Sequence, residues 1–204
     1  MNQYASRTLA YYQDNAQSFW EGTRDHDVSQ NIQALLQALS DNSTGTYDIL
    51  DLGCGPGRDV KHFQDLGHRP VGLDGCAAFV EMASRLTDCP IWHQDLLDLD
   101  LPAQRFDGVF ANAVLFHVPR ISIRTVLKHL HDCLRPNGVL FTSNPRGQGQ
   151  EGWQAQRYGV YYDWPEWRDL LEQAGFELID HYYRPSGLPR AQQPWLASVW
   201  RKAA

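Results

Sequence analysis

Ile49-Leu50-Asp51-Leu52-Gly53-Cys54-Gly55-Pro56-Gly57-Arg58-Asp59 joins a short apolar run to three glycines at alternate positions. The apolar run, Tyr47 to Leu52, has the length of a buried strand. Beyond the glycines, Val60 and Phe63 are spaced for the inner face of a helix, and Gly67 supplies its stop. Glycine adopts backbone angles that other residues avoid, and it lets a ligand approach the main chain. Three glycines alone say little. Placed between a strand and a helix, they mark a ligand-binding turn.

Outward from this turn the same alternation continues. Strands are expected at Pro70–Leu73 (ending on Asp74), Ile91–His93, Phe106–Ala111 and Val139–Thr142. Between them, Ala77–Leu86 and Ile123–Leu134 carry apolar residues at helical spacing. Arg135-Pro136-Asn137-Gly138 reads as a tight turn. Asp163 with Glu166 has the spacing of a capping box for a last helix ending at Gly175. Phe176–Tyr182 and Trp195–Trp200 then follow as two strands without a helix between them. They are expected to pair antiparallel at the sheet edge. On the N-terminal side, Ser29 is a candidate N-cap for a helix using Ile32, Leu35, Leu36 and Leu39, which Asp41–Gly45 breaks. The whole, residues 1–204, reads as one α/β domain. Its sheet is mostly parallel with helices on both faces, and residues 1–40 form a helical cap or lid.

Composition narrows the function. The 204 residues carry a formal net charge of −6 and no run of Lys and Arg, which argues against nucleic acid as the main partner. No apolar stretch approaches a membrane span, and the N-terminus lacks a signal-peptide pattern. Cys54, Cys76, Cys89 and Cys133 form no CxxC pair, so no metal site is expected, and a reducing cytoplasm is.

The glycine loop and its acidic neighbours point to a nucleoside ligand. Dinucleotide loops space their glycines GxGxxG. Here the third glycine comes one residue early, and Asp51 opens the loop, where a carboxylate would repel pyrophosphate and suit a cation. Asp74, followed by Gly75, ends the second strand at the distance where a carboxylate accepts from both ribose hydroxyls. Asp95, with Leu96 beside it, follows the third strand and is placed to meet an adenine ring.

DLGCGPG, GLD, HQDLL, FDGVFANAVLFH and LRPNGVL occur in an order that resembles the class I methyltransferase superfamily, across nearly the whole chain. The resemblance implies a Rossmann-like seven-stranded sheet whose last strand is antiparallel. It also implies S-adenosylmethionine as cofactor, with Asp51, Gly53, Gly55, Gly57, Asp74, Gly75, Asp95, Leu96 and Ala111 at its site. In the superfamily, the backbone after the fourth strand, here Ala111 to Ala113, touches the methionine moiety.

Methyl transfer from a sulfonium needs alignment and exclusion of water more than a base. Substrate contacts are therefore sought at the C-terminal strand ends and in the segments that fold over them. Tyr12, Arg24, His26, Phe116, Asn144, Arg146, Tyr158, Tyr161 and Arg184 are the candidates. Asn112 and His117 are the catalytic candidates, and His117 is placed to orient or deprotonate the nucleophile. Arginine with aromatics suits a small carboxylate-bearing ring compound.

The stretches FWEGTRDHDVSQN (Phe19–Asn31), SNPRG (Ser143–Gly147), HYYRP (His181–Pro185) and QPWLAS (Gln193–Ser198) lie outside the cofactor motifs. They resemble the C-terminal methyltransferase domain of ovothiol synthases. That resemblance implies N-methylation of 5-thiohistidine to ovothiol A. The HxxxHxE run of the iron domain found in bifunctional members is missing. A separate iron-dependent sulfoxide synthase would then supply the thiol. Rival readings are a methyltransferase for another small metabolite, a non-catalytic partner subunit of the same fold, and a nicotinamide oxidoreductase, which the glycine spacing disfavours.

Overall fold

β1 (Asp48–Leu52) is buried along its whole length, as a strand covered on both faces must be. Alternate side chains feed opposite layers: Ile49 joins a core with Ile32, Phe63, Phe110 and Phe141, while Leu50 and Leu52 join one with Leu73, Val109, Leu127 and Trp167. The structure, a computed structural model, describes residues 3–40 and 45–203. Residues 41–44, read as a helix break, lie outside the described residues.

The chain begins with α1 (Gln3–Asp14), α2 (Ala16–Thr23) and α3 (Ser29–Ser40). After β1 come α4 (Arg58–Asp65), β2 (Arg69–Asp74), α5 (Ala77–Leu86), β3 (Ile91–His93) and β4 (Phe106–Asn112). α6 (Ile123–Cys133), β5 (Leu134–Pro145), β6 (Gln150–Gln154) and β7 (Arg157–Tyr161) follow. The chain closes with α7 (Trp164–Gln173), β8 (Phe176–Arg184) and β9 (Trp195–Lys202). The main sheet has seven strands in the order β3-β2-β1-β4-β5-β9-β8. β9 is antiparallel to both neighbours, and the pairings from β3 to β5 are parallel. The strand order reverses between β1 and β4, and ligands of open α/β sheets bind outside the strand ends at such a point.

β8 and β9 pair antiparallel at the sheet edge, as expected, with β9 between β5 and β8. Two local expectations are corrected. The Arg135–Gly138 turn is an excursion inside β5. Leu134 pairs with Phe106 and Val139 with Gly108, and Asn137 at φ 63 absorbs the surplus residues. A hairpin, β6–β7, which no turn signal in the sequence announces, precedes the last helix and is turned by Ala155 at φ 53, where a glycine would ordinarily stand. Ser29 is the first residue of α3 rather than its cap. The carboxylate of Asp27 accepts the Ser29 N–H.

The Asp163 cap holds as read, its side chain accepting from Glu166 N, while Glu166 itself pairs with Arg120. α3 packs its apolar face against β4, β5 and β9 as a layer helix. α1 and α2 are the helices that reach over the strand ends. At the opposite end of the sheet, the buried Asp48 pairs with Arg69, Arg105 and Arg135.

Candidate functional site

The turn after β1 runs through left-handed backbone, which favours glycine. Gly53, Gly55 and Gly57 stand at φ 67, 54 and 94. The N–H groups of Gly53 and Cys54 both donate to Leu73 O, at 2.7 and 3.0 Å, which pins the loop to β2. The three glycines do different work. A Cβ on Gly53 would sit 2.2 Å from Val114 Cγ2, and one on Gly57 2.8 Å from Ala83 Cβ. Gly57 is thus a packing contact between α4 and α5 and lines neither of the two cavities at the loop. A Cβ on Gly55 would meet only Phe19, at 3.7 Å. Its face is open to a ligand.

A narrow cavity of about 100 Å³ lies over this loop, lined by Gly53, Gly55, Asp74, Gly75, Asp95, Leu96, Leu97, Ala113, Val114 and His117. α1, α2 and α5 close it with Ala5, Thr8, Leu9, Tyr12, Phe19 and Phe79. It joins a second cavity of about 540 Å³ through Tyr12, Phe19, Gly53, Gly55 and Ala113, which line both. The second is walled by Trp20, His26, Arg58, Asp59, Asn112, Phe116, Arg157, Arg184 and Trp195, among others.

Asp74 is the best-built acid of the narrow cavity. One oxygen accepts Gly55 N at 2.9 Å, the other Cys76 N at 2.8 Å. Burial pushes its carboxyl up, and the N–H groups of Cys76, Gly55 and Gly75 hold it down. Each carboxylate oxygen retains an acceptor site, which suits a vicinal diol. Asp95 uses one oxygen on Leu97 N at 3.0 Å and presents its side chain to the same space. An open glycine face, a doubly anchored carboxylate and apolar Leu96 and Leu97 fit a nucleoside.

Besides Gly57, two cofactor candidates lie elsewhere. Asp51 is not on the cavity wall; it is buried behind the loop, with Oδ2 unpartnered. Burial, together with the charge of Asp59, pushes its carboxyl well up. Ala111 is enclosed in mid-β4, paired with Thr142, and the lining falls on Asn112 and on Ala113 at φ 62.

His117 follows β4 on a short 3₁₀ turn. Its Nδ1 lies 2.7 Å from Tyr158 O, and its Nε2 lies 2.9 Å from the Tyr12 hydroxyl. A carbonyl only accepts, so Nδ1 carries the proton and Nε2 accepts from Tyr12. Burial pushes the imidazole down to about 4. Asn112 is committed to a chain of side chains. Its Oδ1 accepts from Asn31 at 3.1 Å, and its Nδ2 donates to Asp59 at 3.4 Å. Tyr182 in turn donates to Asn31 at 3.0 Å. Arg58 grips Asp59 through Nε and Nη2 at 2.7 and 2.9 Å and reaches Thr23 O at 2.7 Å, tying α2 to the loop.

Of the substrate candidates, Tyr12, His26, Phe116 and Arg184 line the large cavity. Five do not. Arg24 is exposed and pairs with Asp25. Arg146 donates to Arg190 O. Asn144 is buried within β5 without a partner for its amide. Tyr158 turns its hydroxyl to Glu151 and serves the site only through its carbonyl. Tyr161 lies behind Phe116, ring centroids 6.0 Å apart. Arg157, Trp20, Arg58 and Trp195 were not singled out from sequence. Strand alternation would have found Arg157 once the hairpin was recognised, because Tyr158 is its buried neighbour.

The comparisons with known proteins agree with this geometry. The model of the methyltransferase domain family matches residues 20–181. The chain belongs to that family. It is 33% identical over 111 residues to a trans-aconitate 2-methyltransferase of Azoarcus, covering 53% of this methyltransferase and 43% of the relative. It is 38% identical over 99 residues to a tRNA U34 carboxymethyltransferase of Azotobacter vinelandii, covering 45% and 30%. The matches thus span less than half of either relative's length. Among solved structures, 1,6-didemethyltoxoflavin-N1-methyltransferase of Burkholderia thailandensis, with its substrate and S-adenosylhomocysteine bound, superimposes with a TM-score of 0.78. It is 25% identical to this methyltransferase, and the alignment covers 99% of this chain and 90% of that one. Among the described residues, no helix is long and apolar enough to cross a membrane.

Proposed function

We propose that this methyltransferase uses S-adenosylmethionine to methylate an imidazole nitrogen of 5-thiohistidine, giving ovothiol A. The observation that carries the reading is the pair of joined cavities: a narrow one built for a nucleoside and a wider one walled by aromatics and arginines. The toxoflavin relative, an N1-methyltransferase that holds S-adenosylhomocysteine, supports the pairing of cofactor and nitrogen methylation. Bound S-adenosylmethionine supplies an electrophilic methyl group on a sulfonium.

The chain's own residues bind and orient. Asp74 holds the ribose hydroxyls, Asp95 and Leu96 the adenine, and the open face of Gly55 the linking chain. Tyr12, Phe19, Trp20 and Phe116 exclude water and pack on the substrate ring. A ring nitrogen that carries its lone pair needs no base. His117, neutral above about pH 4, holds Tyr12 in place. The thiol substrate comes from a separate iron-dependent sulfoxide synthase.

A second reading takes a non-aromatic polycarboxylate as substrate, and the trans-aconitate relative favours it. Mass spectrometry after incubation with S-adenosylmethionine and 5-thiohistidine, histidine or trans-aconitate separates the readings. One methyl gained by 5-thiohistidine, with equimolar S-adenosylhomocysteine, is the expected result. A methyl on trans-aconitate instead selects the second reading, and no methyl on any of them discards both.

A further inference from the structure

Three arginines line the large cavity: Arg58, Arg157 and Arg184. Arg58 makes a bidentate pair with Asp59, which neutralises its charge. Arg184 donates to a backbone carbonyl, Asp27 O, at 2.8 Å. Arg157, like Arg184, has no carboxylate partner among the described residues, and it is the one set among tyrosines. Its guanidinium carbon lies 5.5 Å from the centroid of Tyr11, and the Tyr12 hydroxyl is within hydrogen-bonding reach.

A guanidinium set over the Tyr11 ring and hydrogen-bonded to one hydroxyl keeps its remaining N–H groups for something else. Those groups match a carboxylate bidentately. The residue is also well fixed. Its neighbour Tyr158 donates its N–H to Thr8 Oγ1 at 3.0 Å, and the Tyr158 ring packs at a tilt against Tyr4 with centroids 4.4 Å apart. The hairpin and α1 therefore hold Arg157 between them.

We propose that Arg157 is the specificity-determining residue that anchors the carboxylate of the substrate. The inference rests on the small-molecule methyltransferase reading of the cavity, and it holds for either substrate considered above. Because the guanidinium faces solvent as well as the cavity, the expected preference for an acid over its carboxylate-free analogue is about tenfold, the low end for charge-assisted bonds.

The test is calorimetric. The protein saturated with S-adenosylhomocysteine is titrated with 5-thiohistidine and its decarboxylated amine, and with trans-aconitate and its trimethyl ester. Wild type, R157Q, R157K and R184Q are compared. In the expected result, wild type prefers at least one acid about tenfold. R157Q abolishes that preference, R157K restores part of it, and affinity for S-adenosylhomocysteine is unchanged. Should R157Q fail to fold, R157K carries the same test, because it keeps the charge and loses the planar fork. No acid preference in wild type overturns the proposal. So does a preference that survives R157Q, or one lost in R184Q instead. An Arg157-dependent preference confined to the trans-aconitate pair upholds Arg157 and discards 5-thiohistidine as substrate.

Discussion

The Tyr12 hydroxyl and Nε2 of His117 meet at 2.9 Å, so the first helix of the chain is tied to the turn that follows β4. The carbonyl of Tyr158 fixes the other imidazole nitrogen as a donor, which leaves Nε2 able only to accept while the ring is neutral. Protonating His117 removes that acceptor and releases Tyr12. The contact joins the cover of the cofactor cavity to its floor.

A pH dependence follows. His117 sits near 4 in the folded chain, against about 6.5 when unfolded. Between these values the unfolded chain binds more protons. The stabilisation is therefore complete above about pH 6.5 and is lost as pH falls toward 4. Denaturant titrations at several pH values should show H117N with a flatter profile than wild type across this window, by at most about 3 kcal/mol. Identical profiles would contradict the assignment.

Asp74 is expected to matter for cofactor affinity. D74A removes an acceptor with two backbone anchors, at Gly55 and Cys76. Affinity for S-adenosylhomocysteine should fall about 10- to 100-fold, the range for bonds to a charged group. Calorimetry on a variant whose circular dichroism matches wild type decides it. Unchanged affinity would remove the ribose role.

Gly55 and Gly57 should respond differently to alanine. At Gly57 the new Cβ would overlap Ala83 at a positive φ, so G57A should cost about 2–4 kcal/mol of stability. At Gly55 the nearest atom is 3.7 Å away, so G55A should cost about 1 kcal/mol while its Cβ enters the cavity and weakens cofactor binding. Chemical denaturation read beside calorimetry separates the two. Equal stability losses would count against this division of labour.

Asp48 offers a control far from the chemistry. The arginines around it hold its carboxyl well below the usual carboxylate range. Its stabilisation is present above the ordinary Asp value and is lost as pH falls below it. D48A should destabilise the fold by about 1–3 kcal/mol near neutral pH, because the arginines it leaves are partly solvated. Cofactor affinity should be unaffected, since these residues begin their strands and the site lies at the strand ends.

Much of the fold was legible because its signals are local. The strand–glycine–helix turn at Gly53–Gly57 and the strand ending on Asp74 each follow from a few adjacent residues. The β6–β7 hairpin was not legible, because Ala155 occupies a turn position where glycine or asparagine ordinarily gives the cue. The insertion of β9 between β5 and β8 depends on long-range pairing that no local pattern encodes. Within the site, Asp74 and Asp95 were found by position along the chain. Asp51, expected to meet the cationic part of the cofactor, is buried off the walls of both cavities, and burial of a single side chain depends on tertiary packing that its neighbours in sequence do not encode. Arg157 was missed because the hairpin that carries it was missed.

Single-turnover transfer from methyl-¹³C S-adenosylmethionine to 5-thiohistidine, followed by carbon NMR, tests the central claim most directly. The account predicts that the labelled signal leaves the sulfonium position and reappears as a methyl on an imidazole nitrogen. A label that stays on the sulfonium with both molecules bound, or one that moves to the thiol sulfur, would contradict it.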